Sequence, residues 1–530
     1  MPRTSRTSFA RISRPIRRRN SATGNTGNTD NVMKWPRAGL RRATLGGICS
    51  ILVLLPISSG LIGCRFHPGS ETSPGTLAEE PCTGVTVVEA KCLTLTVPEN
   101  RSAPRGRTIP LRIVVLPATS AGRAADAVMF LAGGPGQAAS EFINDSDVPV
   151  DDLRVSRDVV FADQRGTGGS HSLTCEFYGP ADQPQSYFTA FLPIDKVRAC
   201  RSALQRNADL AQYTTAASVE DIEAIRIAMK YSQLTLVAGS YGTRLAMEYV
   251  RRYEPRVRAV VLDGPVTPQT YAPEGFGRLA QRALDRLLDE CLEDADCRRA
   301  FPDIRQEAKQ VFAQVAKVPA TATIAHPSQR TPAVVTLTRN HVAEAIRYLL
   351  YSSHGASRVP LYLHRAAGGD FSEIAAFLMR WRAAGTFDGL YLSITCAEDV
   401  PYVADDAAGL DEPTFLGGYR VREQRAACAE WPRGDQPADS RTPVRAAVPV
   451  LLLSGTLDPV TPPENADTIA RTLPASLVVR VPRGGHSPAG LSGLNCLKNL
   501  QAEFITAASA RKLDTSCVSR IARAGFVTAQ

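Results

Sequence analysis

Three residues of this chain have the types and the order needed for nucleophilic catalysis by a serine: Ser240, Asp458 and His486. A hydroxyl is a weak nucleophile until a nearby imidazole takes its proton, and the imidazole needs a carboxylate to orient it. The chain has seven histidines, and only His486 follows both a carboxylate loop and a buried strand pattern. These three residues are therefore the candidate nucleophile, acid and base.

Ser240 lies between an apolar run at 234–237 and a segment, 245–250, with apolar residues at helical spacing. This pattern predicts a strand, a sharp turn and a helix, which would expose the serine hydroxyl at a helix N-terminus. Small residues are needed in such a turn because neighbouring backbone approaches closely. Gly242 satisfies this need, whereas Ala238 occupies the position where glycine is usual.

Asp458 and His486 each follow a predicted strand, at 449–455 and 477–481. Asp263 also stands at a strand end and is the alternative acid. Because Asp263 is followed by Gly-Pro and leads into a different kind of segment, Asp458 is the favoured partner of His486.

A glycine-rich turn, 132–136, follows the predicted strand 127–131. Its backbone N–H groups could hold the negative charge that develops on a carbonyl oxygen under attack. Proline cannot donate, so Gly133 and Gly134 are the expected donors, together with the N–H of Tyr241. Residues 134–139 also fit a loose dinucleotide-binding pattern.

The order of strands disfavours that nucleotide alternative. Two alternating, β-branched segments, 85–98 and 108–117, precede the glycine turn and predict antiparallel strands. Asp163 closes the strand after the turn, and we interpret Asp163 and Arg165 as a buried ion pair that supports the glycine loop.

Apolar strands alternate with helical patterns, which favours a mostly parallel α/β sheet with antiparallel N-terminal strands. Helices are predicted at 195–207 and at 218–231, the second beginning at Ser218. Within the expected cap, a strand pattern occurs only around 333–337. The predicted organisation is an export leader over 1–64, a tether over 65–81, a first core part over 82–267, a mainly helical cap over 268–435 and a final core part over 436–530.

The net charge of +9 does not indicate a nucleic-acid partner. Residues 1–42 hold 11 of the 61 basic residues and one of the 52 acidic residues, so the rest of the chain is nearly neutral. An uncharged apolar segment, 43–63, follows, and residues 61–64 (Leu-Ile-Gly-Cys) resemble a bacterial lipobox with Cys64 as the lipidated residue. Plain secretion and a retained membrane anchor are the alternatives, and all three export the protein.

Ten cysteines follow the lipobox, an even number that suggests disulfides in an oxidising compartment. Pairing between neighbours along the chain predicts the bridges 82–92, 175–200, 291–297, 396–428 and 496–517. There is no Cys-x-x-Cys and no histidine at ligand spacing, so we expect neither a metal nor a cofactor.

Five motifs in order resemble the α/β-hydrolase serine exopeptidases of the proline iminopeptidase and tripeptidyl aminopeptidase group. They are Gly-Gly-Pro-Gly at 133–136, Asp-Gln-Arg-Gly-Thr-Gly at 163–168, Gly-Ser-Tyr-Gly-Thr at 239–243, the segment 454–463 and Gly-Gly-His-Ser at 484–487. Ala132 replaces that family's leading histidine. The similarity spans about residues 82–520 and implies an α/β-hydrolase fold, with the tripeptidyl-aminopeptidase-like part at the C-terminus.

The resemblance also implies cleavage near a free peptide N-terminus, which requires a carboxylate for the substrate ammonium group. Glu398 and Asp399 are candidates for this role, and a solvated turn is the alternative. Short peptides, or small acyl substrates of an esterase or amidase, are the expected substrates. A lipoprotein that binds a ligand without catalysis is a third possibility, disfavoured by the complete set of Ser240, Asp458 and His486.

Overall fold

The computed structural model describes residues 75–87, 89–144, 150–180, 182–326 and 329–529. The predicted leader, Cys64 and most of the tether lie outside the described residues. Within the described ranges, no helix combines the length and the apolar character needed to cross a membrane.

A nine-stranded sheet forms the centre of the described chain. Its strands are β1 Leu77–Glu80, β2 Lys91–Pro98, β3 Thr108–Leu116, β4 Ala127–Leu131, β5 Asp158–Ala162, β6 Leu234–Gly239, β7 Val257–Asp263, β10 Val450–Gly455 and β11 Ser476–Val481. They lie in the order β1-β2-β3-β5-β4-β6-β7-β10-β11. The six strands β5, β4, β6, β7, β10 and β11 run parallel to one another. The strands β1, β2 and β3 pair antiparallel, and β3 also pairs antiparallel with β5. This arrangement confirms the predicted fold class.

Helices cover both faces of the sheet. They are α1 Val150–Leu153, α3 Thr215–Ala228, α4 Tyr241–Tyr253, α15 Glu464–Ala470 and α16 Asn495–Ala507. A further helix, α2 Ile194–Leu204, packs in a separate hydrophobic cluster that includes Tyr213 and Tyr241. Alternate residues of β7 point to opposite faces: Val260 and Leu262 pack with α3, α4 and α15, while Val261 packs with α16. Burial on both faces explains why these strands read as continuous apolar runs.

A mainly helical segment connects β7 to β10 and has its own hydrophobic core. Its helices are α5 Phe276–Glu293, α6 Ala295–Ala300, α7 Ile304–Lys317, α8 Arg339–Leu349, α9 Ser353–Ala356, α10 Val359–Ala367, α11 Ser372–Ala384, α12 Asp388–Glu398, α13 Ala407–Asp411 and α14 Tyr419–Ala429. An antiparallel hairpin, β8 Ala320–Ala325 and β9 Pro332–Leu337, interrupts the helices. We call the segment from α5 to α14 the cap.

Three predicted boundaries were wrong. Residues 77–80 form edge strand β1 instead of part of a tether, because they pair with β2. β2 begins at Lys91 instead of residue 85, since the preceding residues turn back towards Cys82. Helix α3 begins at Thr215, one turn earlier than predicted, because the Thr214 side chain accepts a hydrogen bond from the N–H of Ala217 and so caps the helix.

The five predicted disulfides are all present in the described chain. They join Cys82 to Cys92, Cys175 to Cys200, Cys291 to Cys297, Cys396 to Cys428 and Cys496 to Cys517. A short strand pair near the C-terminus, β12 Leu491–Ser492 and β13 Ala522–Arg523, flanks the last bridge.

Candidate active site

Ser240 occupies a strained turn between β6 and α4. Its φ of 53° and ψ of −125° lie in a region that side-chain-bearing residues rarely adopt. The Ser240 N–H donates to the carbonyl oxygen of Asp263 at 2.8 Å, and the Thr243 hydroxyl donates to the Ser240 carbonyl at 2.6 Å. These bonds hold the turn so that the serine hydroxyl stands at the carboxyl edge of the parallel strands.

Gly242 is required by close packing in this turn. A Cβ at Gly242 would lie 2.4 Å from the carbonyl oxygen of Leu131 and 2.7 Å from that of Ala132, whereas a Cβ at Gly239 would meet nothing within 4 Å. We therefore expect Gly242→Ala to destabilise the protein by about 1–3 kcal/mol and to displace the start of the glycine loop, with a matching loss of activity. Gly239→Ala is the matched control and should change thermal stability little; equal losses in both variants would contradict this explanation.

Ser240, His486 and Asp458 form a continuous hydrogen-bonded chain. The Nε2 atom of His486 lies 2.9 Å from the Oγ of Ser240, and its Nδ1 lies 2.8 Å from the Oδ2 of Asp458. With the proton on Nδ1, the imidazole donates to the carboxylate and can accept the serine proton at Nε2. The three residues come from the ends of β6, β10 and β11, as the sequence predicted for a parallel sheet.

The Asp458 carboxylate is fixed by the residues that follow it. Its Oδ1 accepts from the N–H groups of Val460 at 2.7 Å and Thr461 at 2.9 Å, and its Oδ2 accepts from the Thr461 hydroxyl at 2.7 Å. Burial alone would raise the pKa of Asp458, but the adjacent His486 and the Thr461 donors hold it below its usual value. Thr461 was missed by the sequence analysis, although its position three residues after an aspartate is typical of such a local turn.

Two carboxylates, Asp458 and Asp263, raise the pKa of His486. Burial alone would lower the pKa of His486, but the charge and hydrogen bond of Asp458 raise it above the usual value, and Asp263 adds to that increase. Asp263 itself is desolvated, which raises its pKa to about 6 even though His486 partly offsets the effect. Asp263, the alternative acid, is thus an electrostatic neighbour of the imidazole, while the Nδ1 atom of His486 lies 2.8 Å from the Oδ2 of Asp458 and 3.1 Å from the Oγ1 of Thr461.

Replacing Asp263 with asparagine should extend activity to lower pH. The negative charge of Asp263 stabilises the protonated imidazole, so its removal lowers the pKa of His486 and keeps more of the base form in acid. The measurement is the pH profile of kcat/KM for wild type and variant, with Asp458→Asn as the comparison. An unmoved acidic limb, or a loss at every pH as large as that of Asp458→Asn, would assign Asp263 a different role.

The glycine loop lies directly against the serine. A Cβ at Gly133 would be 3.0 Å from the Cβ of Ser240, and Gly134 and Gly136 have φ values of 108° and 104° that favour glycine. Tyr241 is the first residue of α4, where backbone N–H groups lack partners within the helix. The structure thus places Gly133 against the serine and Tyr241 directly after it, while Gly134 is the next residue of the same loop.

The predicted ion pair between Asp163 and Arg165 was wrong. Asp163 instead accepts hydrogen bonds from the backbone and hydroxyl of Ser140 at 2.9 and 3.0 Å, and from the N–H of Gly169 at 3.0 Å. It therefore does support the segment after the glycine loop, through neutral donors. Arg165 turns the other way and binds Asp221 of α3 through Nε at 2.6 Å and Nη2 at 2.8 Å.

Glu398 and Asp399 are buried at the end of α12 and already have partners. Glu398 accepts from the backbone and hydroxyl of Thr215 at 2.7 and 2.6 Å, and Asp399 lies 2.8 Å from the Nη1 of Arg244. Burial raises the pKa of Glu398 to about 7 despite the nearby arginine. The alternative of a solvated turn was wrong, and a substrate ammonium group would have to compete with Arg244 for these carboxylates.

The cap contacts the site on two sides. The ring of Tyr351 lies 5.2 Å from the His486 ring, and the N–H of Ser487 donates to the Tyr351 carbonyl at 2.7 Å. On the opposite side, the N–H of Phe387 donates to the carbonyl of Gly136 at 2.9 Å. The sequence analysis missed Tyr351 because nothing in the local pattern of the cap indicates which helix reaches the histidine.

A parallel sheet with helices on both faces, a serine at the strained strand-to-helix turn and a histidine and aspartate on the two following loops define a serine hydrolase of the α/β fold. Two family models match this chain. One, described as alpha/beta hydrolase fold, matches residues 126–299, and the other, described as TAP-like protein, matches residues 414–517. The first match contains Ser240, and the second contains Asp458 and His486.

Two of the following three relatives span most of this chain, and the third matches about a third of it. Serine protease Hip1 of Mycobacterium tuberculosis is 26% identical over 427 residues, which cover 73% of this chain and 80% of that protein. Carboxylesterase B of the same organism is 27% identical over 492 residues, covering 84% and 92%. A putative hydrolase of Escherichia coli, YuaR, is 32% identical over 197 residues, covering 36% and 38%.

The chain belongs to the α/β-hydrolase family and carries a TAP-like C-terminal segment. The resemblance to the group of proline iminopeptidases and tripeptidyl aminopeptidases is confirmed at this level of family. The protein is accordingly a serine hydrolase.

Proposed function

We propose that this protein is an exported aminopeptidase that releases residues or short peptides from the free N-terminus of peptides. The observation that carries the proposal is the hydrogen-bonded chain from Ser240 through His486 to Asp458, at 2.9 and 2.8 Å, beneath a helical cap. Similarity to a serine protease over 73% of the chain supports peptide bonds as the target.

The proposed reaction has two halves. Ser240 attacks the carbonyl carbon while His486 takes the hydroxyl proton at Nε2 and then gives it to the leaving amine. Asp458 stabilises the imidazolium that forms between these steps. The developing oxyanion is held by the N–H of Tyr241 and the N–H of Gly133 or Gly134. Water, activated by His486, then releases the acyl group.

The cap favours short substrates in this proposal. The cap contacts both the histidine loop at Ser487 and the glycine loop at Gly136, the two loops that carry the base and the expected oxyanion donors. A long folded chain could not pass between these contacts without displacing them. An enzyme so covered would act on the ends of peptides in preference to internal bonds.

The role of Glu398 and Asp399 in binding a substrate amine remains a prediction. The double variant Glu398→Gln, Asp399→Asn should raise KM for free-amine peptides and spare uncharged esters if these carboxylates bind the ammonium group. Equal effects on both substrate types would assign them to the support of Arg244 and Thr215 instead.

A carboxylesterase or amidase acting on small acyl substrates is the second candidate. Similarity to Carboxylesterase B over 84% of this chain and 92% of that protein favours it. The same serine, base and oxyanion donors would serve ester hydrolysis, so the substrate pocket decides between the two candidates.

Export with a lipid anchor at Cys64 is part of the proposal. Five disulfides in the described chain fit an oxidising compartment, and relatives include a mycobacterial serine protease. The mass of the mature protein tests the anchor, because a lipidated N-terminal Cys64 adds acyl chains, whereas plain secretion leaves an unmodified N-terminus.

The deciding experiment is a substrate panel assayed with protein lacking residues 1–64 and with its Ser240→Ala variant. The panel contains free-amine aminoacyl, prolyl and tripeptidyl chromogenic amides, the matching N-acetylated amides and short acyl esters. Hydrolysis of free-amine amides alone, lost in the variant, is the expected result. Hydrolysis of esters alone would support the second candidate, and no turnover by folded protein would favour a ligand-binding lipoprotein.

A further inference from the structure

Two arginines of the cap are buried without a carboxylate partner. The side chains of Arg347 on α8 and Arg420 on α14 are in residues only 2% and 4% exposed. Within the part of the chain that the structure describes, neither forms an ion pair, and Nε and Nη2 of Arg347 and Nε and Nη1 of Arg420 lack hydrogen-bond partners. Arginine stays protonated in proteins, and an unpaired buried charge is strongly unfavourable.

Other buried arginines of this protein show what such a guanidinium group usually binds. Arg165 holds Asp221, and Arg382 holds Glu344, each through its Nε and Nη2 atoms at 2.6–3.0 Å. This edge of the guanidinium group matches the two oxygens of a carboxylate. In Arg347 the same edge is buried, and no carboxylate or other acceptor of the described residues bonds to it.

Aromatic rings cover the faces of these two guanidinium groups but not their edges. The Cζ of Arg347 lies 4.2 Å from the centre of the Phe276 ring, and the Cζ of Arg420 lies 5.8 Å from the same centre. Arg420 also stacks on Phe191 at 3.6 Å. Cation–π contacts orient a guanidinium group while leaving its N–H donors available. Both cations therefore lie near one ring. Nη2 of Arg420 reaches the Tyr391 hydroxyl at 3.5 Å, whereas Nε and Nη1 of Arg420 and Nε and Nη2 of Arg347 have no acceptor among the described residues.

Two carboxylates interact electrostatically with Arg420, and both already accept hydrogen bonds from other groups. Glu423 accepts from the N–H groups of Phe191 at 2.8 Å and Leu192 at 3.2 Å. Glu344 contributes to the electrostatic environment of Arg420, but both of its oxygens accept from Arg382 at 3.0 and 2.6 Å. The Tyr419 hydroxyl lies 3.4 Å from the same carboxylate. The cluster thus contains three cations, Arg347, Arg420 and Arg382, and two anions, Glu344 and Glu423, which leaves a surplus of one positive charge.

This surplus lies close to the candidate catalytic residues. The Cζ of Arg347 is 5.3 Å from the Tyr351 ring centre, and that ring lies 5.2 Å from the His486 ring. His486 in turn contacts the Ser240 hydroxyl at 2.9 Å. An extended peptide advances about 3.3–3.6 Å per residue, so a group within a few residues of the scissile bond can span this distance.

We propose that Arg347, through its Nε–Nη2 edge, and Arg420 bind a carboxylate of the substrate. This inference rests on the proposed function, because it assigns the substrate class of the same serine. The carboxylate has two possible sources, an acidic side chain and the free C-terminus of a short peptide. The site selects anionic peptides and disfavours the corresponding amides, because an amide presents only one acceptor oxygen and no charge to two cations.

The test measures binding separately from catalysis. Ser240→Ala protein is titrated by calorimetry with trialanine and trialanine amide, and with N-acetylglutamate amide and N-acetylglutamine amide. In one of the two pairs, we expect the acid to bind roughly 10- to 100-fold more tightly than the corresponding amide. Hydrogen bonds to a charged carboxylate are stronger than hydrogen bonds to a neutral amide. The first pair reports a C-terminal carboxylate, and the second reports an acidic side chain.

Arg347→Gln and Arg420→Gln, each added to Ser240→Ala, should abolish the preference for the acid. Arg380→Gln, which removes an exposed cap arginine, is the matched control and should keep it. The melting temperature of each variant checks folding. We expect only a small loss at Arg347, because the substitution removes its contact with the Phe276 ring but breaks no hydrogen bond of the Nε and Nη2 donors. Equal binding of acid and amide, or no binding of either pair, would overturn the carboxylate site.

Kinetics with Ser240 intact completes the test. If the protein hydrolyses peptides, Arg347→Gln should raise KM for the anionic substrate by a larger factor than KM for the neutral substrate, whereas the control Arg380→Gln should change neither value. Failure to hydrolyse any peptide, combined with acid-selective binding in the Ser240→Ala protein, would reject the aminopeptidase while retaining the carboxylate site. Peptide hydrolysis without acid-selective binding would retain the aminopeptidase and reject the carboxylate site.

Discussion

Ser240→Ala is expected to lower kcat about 10⁶-fold, and Asp458→Asn about 10⁴-fold, on any substrate that the wild type hydrolyses. The two magnitudes differ because alanine removes the attacking oxygen, whereas asparagine keeps the shape of the acid and removes its charge. Without that charge, nothing favours the tautomer with a proton on Nδ1 of His486, so Nε2 is less often free to accept. The measurement is single-turnover kinetics with an activated ester, whose background hydrolysis is recorded alongside.

The double variant distinguishes one catalytic unit from three independent groups. If Ser240, His486 and Asp458 act together, adding Asp458→Asn to Ser240→Ala should cost almost nothing further. Thr461→Val is a graded control, because it removes one hydroxyl donor to Asp458 at 2.7 Å and keeps both backbone donors. Multiplicative losses in the double variant would contradict the proposed mechanism.

Asp221→Ala is expected to destabilise the protein by about 3–5 kcal/mol. The substitution leaves the Arg165 guanidinium group, which is fully buried, without a negative partner. Arg165 would retain its bonds to the carbonyl oxygens of Glu99 at 2.9 Å and Gln212 at 2.8 Å, which do not neutralise the charge. Equilibrium unfolding in urea, with the disulfides intact, measures the change.

Two variants make this prediction specific. Replacing both partners, Arg165→Met with Asp221→Leu, should recover much of the loss, because the fully buried guanidinium group is removed with its carboxylate. Arg101, the second partner of Asp221, is 21% exposed and stays in contact with water. Asp296→Asn breaks an ion pair with Arg299 in which both side chains are 77% exposed, and should change stability by less than about 0.5 kcal/mol. A loss at Asp296 similar to that at Asp221 would show that burial is not the cause.

The candidate catalytic residues could be found from the sequence because each follows a strong local signal. Ser240, Asp458 and His486 stand directly after continuous apolar runs, and the strands β6, β10 and β11 end at the same edge of the sheet. The disulfides were equally accessible, since each cysteine pairs with its neighbour along the chain. Periodicity and spacing carry this information without any tertiary contact.

The errors concern contacts between distant parts of the chain. Arg165 was assigned to Asp163 because Asp163 is the nearest carboxylate along the sequence, whereas the actual partner, Asp221, lies 56 positions after Arg165. Strand β8 was missed because its buried positions include Ala320 and Ala322, which give a weak hydrophobic signal beside exposed threonines. Tyr351 and Arg347 reach the site through the folding of the cap, which local patterns do not encode.

The spacing of the disulfides has a consequence for how the chain is made. Among the described residues, partner cysteines are separated by 6 to 32 positions, and no bridge encloses another cysteine. A chain threaded through a membrane N-terminus first would present each cysteine with its correct partner as the next one to emerge. Oxidation during translocation would then yield the native pairing by order of arrival, with little need for later reshuffling by an isomerase.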